Sequence, residues 1–327
     1  MLTDNLFDSI LIKAVKNGCN RLFIVSGYAT AAMAFHHLNV IKKLNPKVTV
    51  ELIVGMTAQD GLSESNHHGF QYLMNKEFKG SFKCSYIAKL PPVHSKVYVW
   101  FKDDKPMFGF VGSANYTQTA FNNNREVMAE CSPEECFAYF ESLCGKTIYC
   151  NHIEADSIVK IYRDQIYNRL MKQKKLTEDK VSIDLVLEGL PFEKVSLLDR
   201  NGEVAARSGL NWGQRPEEGR EPNQAYIRLP SSIYNTDFFP EIGTHFTVQT
   251  DDGEVLICSR AQQNGKAIHT PENNSRIGEY FRGRLGLKSG AFVTKADLER
   301  YGRTDVDFYK IENETYYMDF SKPTVKK

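Results

Sequence analysis

VHSKVYVWF (93–101) decides the reading of this chain. The run alternates strictly. Val93, Ser95, Val97 and Val99 fall on one side and His94, Lys96 and Tyr98 on the other, the period-two pattern of a β-strand. A few residues later PMFGFVGSANYT (106–117) reads as a second strand running into the turn Gly112-Ser113-Ala114-Asn115. Two apart on a strand, His94 and Lys96 project from one face. Ser113 and Asn115 follow the next strand, where its C-terminal end opens. In an α/β sheet such ends form the ligand crevice. An imidazole, an ammonium and a carboxamide converging there suit a phosphodiester. The imidazole can attack phosphorus, and the other two can stabilise the non-bridging oxygens as charge shifts. H-x-K or G-S-x-N alone is a common surface pattern. The pair, each behind an apolar strand, points to a site.

Working outward, 4–18 has the spacing of an amphipathic helix, 21–30 is a short buried strand ending at Gly27, and 31–44 is helical. VTVELIVGM (48–56) and SFKCSYIA (81–88) are further buried strands. Strands separated by helices imply an α/β sheet covered on both faces. SPEECFAYFESLC (132–144) opens with a Ser cap and Pro at the first helical position. The run 155–175 reads as a long charged helix. MKQKKLTEDK (171–180) is polar and charge-rich, and places the domain joint at 175/176. Beyond it come short β-like runs with Asn201-Gly202, Asp252-Gly253 and Asn264-Gly265 turns, which signal hairpins. The second half should be mainly β, a closed or half-closed barrel.

The 327 residues suit about two domains. A hydrophobic content of 42% and a charged content of 25% are ordinary for a soluble globular protein. No apolar run is long enough to span a bilayer, and the start lacks the basic flank of a signal peptide, so a cytoplasmic protein without membrane contact is expected. Seven cysteines in a long chain do not suggest a disulfide framework. Cys131, Cys136, Cys144 and Cys150 with His152 lack the C-x2-C spacing of zinc sites and read as plain thiols. The net charge of +1 announces no global nucleic-acid field. Any DNA affinity must come from local placement of Arg and Lys. Glu77-Phe78-Lys79 with Asp60 is too common a pattern to mark a metal-dependent nuclease, and 283–289 lacks the glycine spacing of a phosphate loop.

His94-Ser95-Lys96 followed by Gly112-Ser113-Ala114-Asn115 resembles the H-x-K…G-S-x-N motif of the phospholipase D superfamily, over roughly residues 1–170. The superfamily Asp is not at its place, and Asp103 and Asp104 lie only near it. Glu126, eleven residues beyond Asn115, resembles the Glu that replaces this Asp in the restriction endonucleases of the NgoFVII and BfiI kind. That resemblance implies catalysis by His94, Lys96, Ser113, Asn115 and Glu126, with no metal or other cofactor. One motif copy implies a homodimer through residues 1–175, with His94 of each subunit at one composite site. One His94 forms a phosphohistidine, and the other serves as general acid and then base. Glu126 is expected to orient the His94 ring through its second nitrogen.

The second half, 176–327, resembles the B3-like DNA-binding pseudobarrel of the same enzymes, in which two arms grip the major groove. The first arm is expected at 207–215, with Arg207, Asn211, Trp212, Gln214 and Arg215. The second is expected at 262–276, with Gln262, Gln263, Asn264, Lys266, His269, Asn273, Asn274 and Arg276. Arg to guanine and Asn or Gln to adenine are the bidentate pairings of that groove. Arg282 and Arg284 suit phosphates. Trp212 reads equally as an arm residue or a barrel plug. The expected function is sequence-specific cleavage of double-stranded DNA in a bacterial restriction system. A companion DNA methyltransferase and, in some relatives, a separate ATP-dependent translocase accompany it. The rivals are a non-specific nuclease or other phosphodiesterase of the superfamily, and a DNA-binding regulator with an inactive catalytic domain.

Overall fold

The computed structural model describes residues 1–162, 187, 189–271 and 273–322, and the chain divides into two compact units, Met1–Arg169 and Leu170–Lys327. The joint expected within 171–180 lies outside the described residues.

In the first unit the strands are β1 (Arg21–Ser26), β2 (Thr49–Val54), β3 (Leu62–Ser63), β4 (Phe82–Ile87), β5 (Val97–Lys102), β6 (Lys105–Gly112), β7 (Met128–Cys131), β8 (Thr147–Tyr149) and β9 (Ile161–Tyr162). Seven of them form one sheet in the order β7-β6-β5-β1-β2-β4-β8, and β3 pairs separately with β9. β1, β2 and β4 run parallel, and the remaining neighbours are antiparallel. This is the mixed sheet expected. The helix Pro133–Cys144, opened by the Ser132 cap, packs Cys136, Phe140 and Leu143 on Phe23, Val25, Val97, Val99 and Phe101. The opposite face carries Tyr98 and Trp100. There the Trp100 indole donates to the Ile10 carbonyl, and its ring meets His37 of the helix Ala31–Leu44.

Two expectations need correcting. The strand predicted from residue 93 begins at Val97, because β1 ends at Ser26 and the pairing with it stops at Val25 and Val97. Val97 through Phe101 are all buried, because helices cover both faces, as expected of this sheet. The long helix expected over 155–175 is one turn, Ala155–Ile158, followed by β9 where Ile161 and Tyr162 pair with β3; the rest of that stretch lies outside the described residues.

The second unit carries β10 (Phe192–Ser196), β11 (Ile227–Arg228), β12 (His245–Thr250), β13 (Val255–Ala261), β14 (Ala267–His269), β15 (Asp305–Glu312) and β16 (Thr315–Asp319). They form one sheet in the order β10-β15-β16-β12-β13-β14-β11. Its end strands, β10 and β11, lie against each other without a hydrogen-bonded ladder, so the B3-like barrel is nearly closed. Phe246, Val248, Phe308, Tyr316 and Met318 fill it. The helix Ser275–Leu285 adds Ile277 and Phe281 to that core.

Candidate active site and nucleic-acid interface

Register decides where the chemistry gathers. Ser26 lies beside Val54, Val25 beside Val97, and Val97 beside Val111, so β1, β2 and β6 all end, and β5 begins, on one edge of the sheet. That edge carries His94 and Lys96 before β5 and Ser113 and Asn115 after β6. His94 is exposed and Lys96 is buried. The Lys96 ammonium donates to the His94 carbonyl at 2.7 Å, and its Nζ stands 3.2 and 3.3 Å from the two His94 ring nitrogens. Burial pushes the Lys96 ammonium below the ordinary lysine range, and the Glu126 carboxylate partly offsets that.

The loop bearing Asn115 is strapped to the end of β1. The Tyr98 hydroxyl donates to the Ala114 carbonyl, the Tyr116 amide donates to Ser26 Oγ, and the Thr30 amide donates to the Tyr116 carbonyl. Asn115 Oδ1 accepts the Tyr28 amide at 3.1 Å. Gly27 forms the floor. A Cβ there would sit 3.2 Å from His94 Cδ2 and 3.5 Å from Asn115 Oδ1, tighter than and at ordinary contact respectively.

Glu126 departs from expectation. Its carboxylate accepts from Ser113 Oγ and from the Asn124 side chain, rather than from the His94 ring. Ser113 Oγ also accepts the Val127 amide. Ser113 thus clamps Glu126 and the strand β7 behind it, with its hydrogen already committed. Asp103 and Asp104 lie at the opposite end of β5, in the hairpin turn, bonded to Asn20 and Arg21. Six residues of strand, about 20 Å, separate that turn from His94. No group of three His, Cys, Asp or Glu among the described residues is arranged to hold a metal ion, and all seven cysteines are free thiols.

In the second unit the expected DNA-reading residues divide sharply. Asn211 is wholly buried. Its amide donates to the Ala205 and Val293 carbonyls and its oxygen accepts the Val293 amide, so it pins loops together and cannot reach a base. Arg282 is also buried, donating to the carbonyls of Ala291, Gly278 and Leu210, and is no phosphate contact. Gln214 donates to the Pro222 and Gly290 carbonyls. Arg284 forms a paired bond to Asp251 and joins Tyr280 and Tyr301. His269 sits between Ser259 and Asn274. Arg276 donates to the Val255 carbonyl. Trp212 is half-buried under the Arg220 guanidinium, 4.1 Å from the ring centre. Arg207 and Arg215 are held by Glu217 and Glu218. The stretch 207–215 is therefore tied down by its own side chains, chiefly Asn211 and Gln214.

The tip of 262–264 has the opposite character. Gln262, Gln263 and Asn264 are exposed, as are Lys266 and Asn273. Gln262 and Asn264 adopt left-handed backbone (φ +64° and +61°), which forms the tight turn between β13 and β14. Behind it, buried Arg260 donates to the carbonyls of Gly265, Asn264, Tyr234 and Pro240 and makes the tip rigid. Beside it opens a groove lined by Asp199, Arg200, Arg228, Ser231, Tyr234 and Lys266. Among the described residues, Arg200, Arg228 and Lys266 enter no ion pair, unlike the arginines of 207–220. Sequence reasoning missed Arg200 and Arg228. The Arg200-Asn201-Gly202 turn was visible, but its position beside β11 depends on the barrel.

Residues 4–157 match the family described as the NgoFVII restriction endonuclease N-terminal PLD domain, and residues 185–312 match the NgoFVII C-terminal B3-like DNA-binding domain. No curated protein matches the chain. Similar solved structures include a polyphosphate kinase from Porphyromonas gingivalis, at 14% identity and TM-score 0.30, covering 50% of this chain and 26% of that one. The chain thus spans about a quarter of that enzyme's length. The phospholipase D family member Nuc from Salmonella typhimurium is similar at 16% identity and TM-score 0.32, covering 42% of this chain and 87% of that one. NucT from Helicobacter pylori is similar at 22% identity and TM-score 0.30, with the same 42% and 87% coverage. No helix among the described residues is long and apolar enough to cross a membrane.

Proposed function

The chain belongs to the NgoFVII restriction endonuclease family, a phospholipase D-type domain ahead of a B3-like DNA-binding domain, and from that premise we propose a sequence-specific endonuclease. It cuts double-stranded DNA without a metal ion, through a phosphohistidine at a site shared by two subunits. The observation that carries this reading is the Lys96 ammonium held against the His94 ring at the open edge of the sheet, with the Asn115 carboxamide fixed alongside.

A ring nitrogen of His94 attacks phosphorus, and the bond to the leaving strand breaks. The partner subunit's His94 protonates the leaving oxygen, then takes a proton from the water that cleaves the phosphorus–nitrogen bond. Lys96 and Asn115 hold the non-bridging oxygens, the charge stabilisation that a divalent ion supplies in other nucleases. Glu126 acts on Lys96 and Ser113 rather than on the ring. In the second unit, Arg200, Arg228 and Lys266 take phosphates and the Gln262-Gln263-Asn264 tip reads base edges. A DNA methyltransferase protecting the same sequence and a separate ATP-dependent translocase are the further partners this reading adds.

The test is cleavage of a mixed plasmid in EDTA, followed by sequencing of the ends. Recurrent sequence near the ends and complete loss of cutting with His94→Ala are expected. Loss of cutting in EDTA would overturn the mechanism, and random ends would favour a non-specific nuclease.

A further inference from the structure

We propose that Tyr28 is a positioning residue for this phosphodiester reaction, the side wall that sets the plane of the His94 ring while its main chain aims the Asn115 carboxamide; the proposal rests on the reading of the site given above. Tyr28 is the first residue past the Gly27 floor, and its 39% exposure places it at the surface of the crevice. Four contacts fix it. Ser26 Oγ donates to the Tyr28 carbonyl at 2.6 Å. The Tyr28 amide donates to Asn115 Oδ1, which assigns that oxygen and leaves Nδ2 as the end able to donate to a phosphate. The ring stands edge-on to His94, 5.9 Å between centres at 80°. The hydroxyl donates to the Asp60 carboxylate at 2.6 Å, across 32 residues of sequence.

The need for such a wall follows from the surroundings of His94. The second torsion of a histidine is broad and soft, so an exposed ring swings unless something stops it. Gly27 supports the ring from below but offers no side chain to hold it. Glu126, the expected orienting carboxylate, is turned to Ser113. An attacking nitrogen must lie in line with the leaving oxygen, and a small misalignment costs rate directly. Partial burial, the Asp60 bond and the Asp60 charge push the Tyr28 phenol up to about 12, so it stays a neutral donor locked on Asp60. The Asp60 tether therefore fixes the wall, and the wall fixes the nucleophile.

The experiment compares wild type, Tyr28→Ala, Tyr28→Phe, Asp60→Asn and His94→Ala. Single-turnover cleavage is followed against DNA concentration, and the imidazoles are observed by NMR in protein carrying carbon-13 histidine, with His94 assigned by its loss in His94→Ala. Tyr28→Ala should lower the maximal rate about 30-fold with half-saturation unchanged within about twofold, and should broaden or split the His94 signal. Tyr28→Phe, which keeps the ring but removes its tether, should lower the rate about threefold, and Asp60→Asn, which leaves a weaker neutral acceptor, should lower it by up to as much. Should Tyr28→Ala fail to fold, these two variants carry the test. A maximal rate unchanged in all of them, a loss confined to half-saturation, or a His94 signal identical to wild type overturns the proposal. Cutting that survives His94→Ala overturns the reading of the site instead, and the two failures are distinct.

Discussion

Lys96 holds the tightest constraint at the residue scale. It must be charged to bind a phosphate, yet burial lowers its proton affinity and Glu126 raises it. The sign follows. As pH rises, this ammonium is lost earlier than that of an ordinary lysine, so the cleavage rate should fall on an alkaline limb that belongs to Lys96. Glu126→Gln removes the charge that favours the ammonium and should move that limb to lower pH. Lys96→Arg should move it beyond reach, because a guanidinium keeps its proton there, at a reduced rate since the planar fork does not fit the same space. Single-turnover rates across the neutral and alkaline range check both directions. A limb that ignores both substitutions belongs to another group. His94, Lys96 and Asn115 were legible in the sequence because two short spacings and two strands bring them together. The partner of Glu126 was not, because it depends on the path of the 116–125 loop. Polarity also misled at Asn211 and Arg282, since an amide or a guanidinium reads alike whether it faces a base or ties buried carbonyls.

At the scale of elements, buried polar anchors and exposed tips should separate by experiment. Asn211 ties the turn Gly209–Asn211 to Val293 through two buried bonds and to the Ala205 carbonyl through a third. Asn211→Ala leaves those groups unpaired and should cost about 2–4 kcal/mol. The thermal midpoint of the second unit should fall by roughly 5–10 °C. Gln263→Ala, at the exposed tip, should leave the midpoint unchanged and weaken target binding by about 1–3 kcal/mol in a gel shift. Equal midpoints for the two variants would contradict these placements. Helix caps and buried β-branched strands were readable because their signals are local: Ser132-Pro133 and 31–44 fold as their patterns say. The one-turn helix at 155–158 was not, since its termination is imposed by the pairing of β9 with β3. The ties of 207–215 were not legible for a similar reason: hairpin turns announce themselves, but which side chains are bound into the barrel is settled by its closure.

For the whole molecule, the proposed reaction turns on one imidazole per chain. If each site draws His94 from two subunits, co-expression of wild type with equal His94→Ala and random pairing should leave about one quarter of the dimers with both rings. Independent sites would leave about half the activity. Cleavage rate against the measured ratio of the two chains distinguishes a squared dependence from a linear one. The net charge of +1 gave no hint of DNA, because a sum over the chain does not tell cations tied to acids, as Arg207, Arg215 and Arg220 are to Glu217 and Glu218, from those such as Arg200, Arg228 and Lys266 that enter no ion pair among the described residues.

The unlaced meeting of β10 and β11 has a mechanical consequence. Everywhere else around the ring, neighbours are joined by a row of main-chain bonds, whereas here the two edges are held by side-chain burial, with Val195 on one and Ile227 on the other both out of water. The groove with Arg200 and Arg228 flanks that single seam, so its walls rest on packing rather than on a ladder. Parting that seam would bring the Val195 and Ile227 side chains into water, so the groove keeps its shape as long as the core beneath it stays dry.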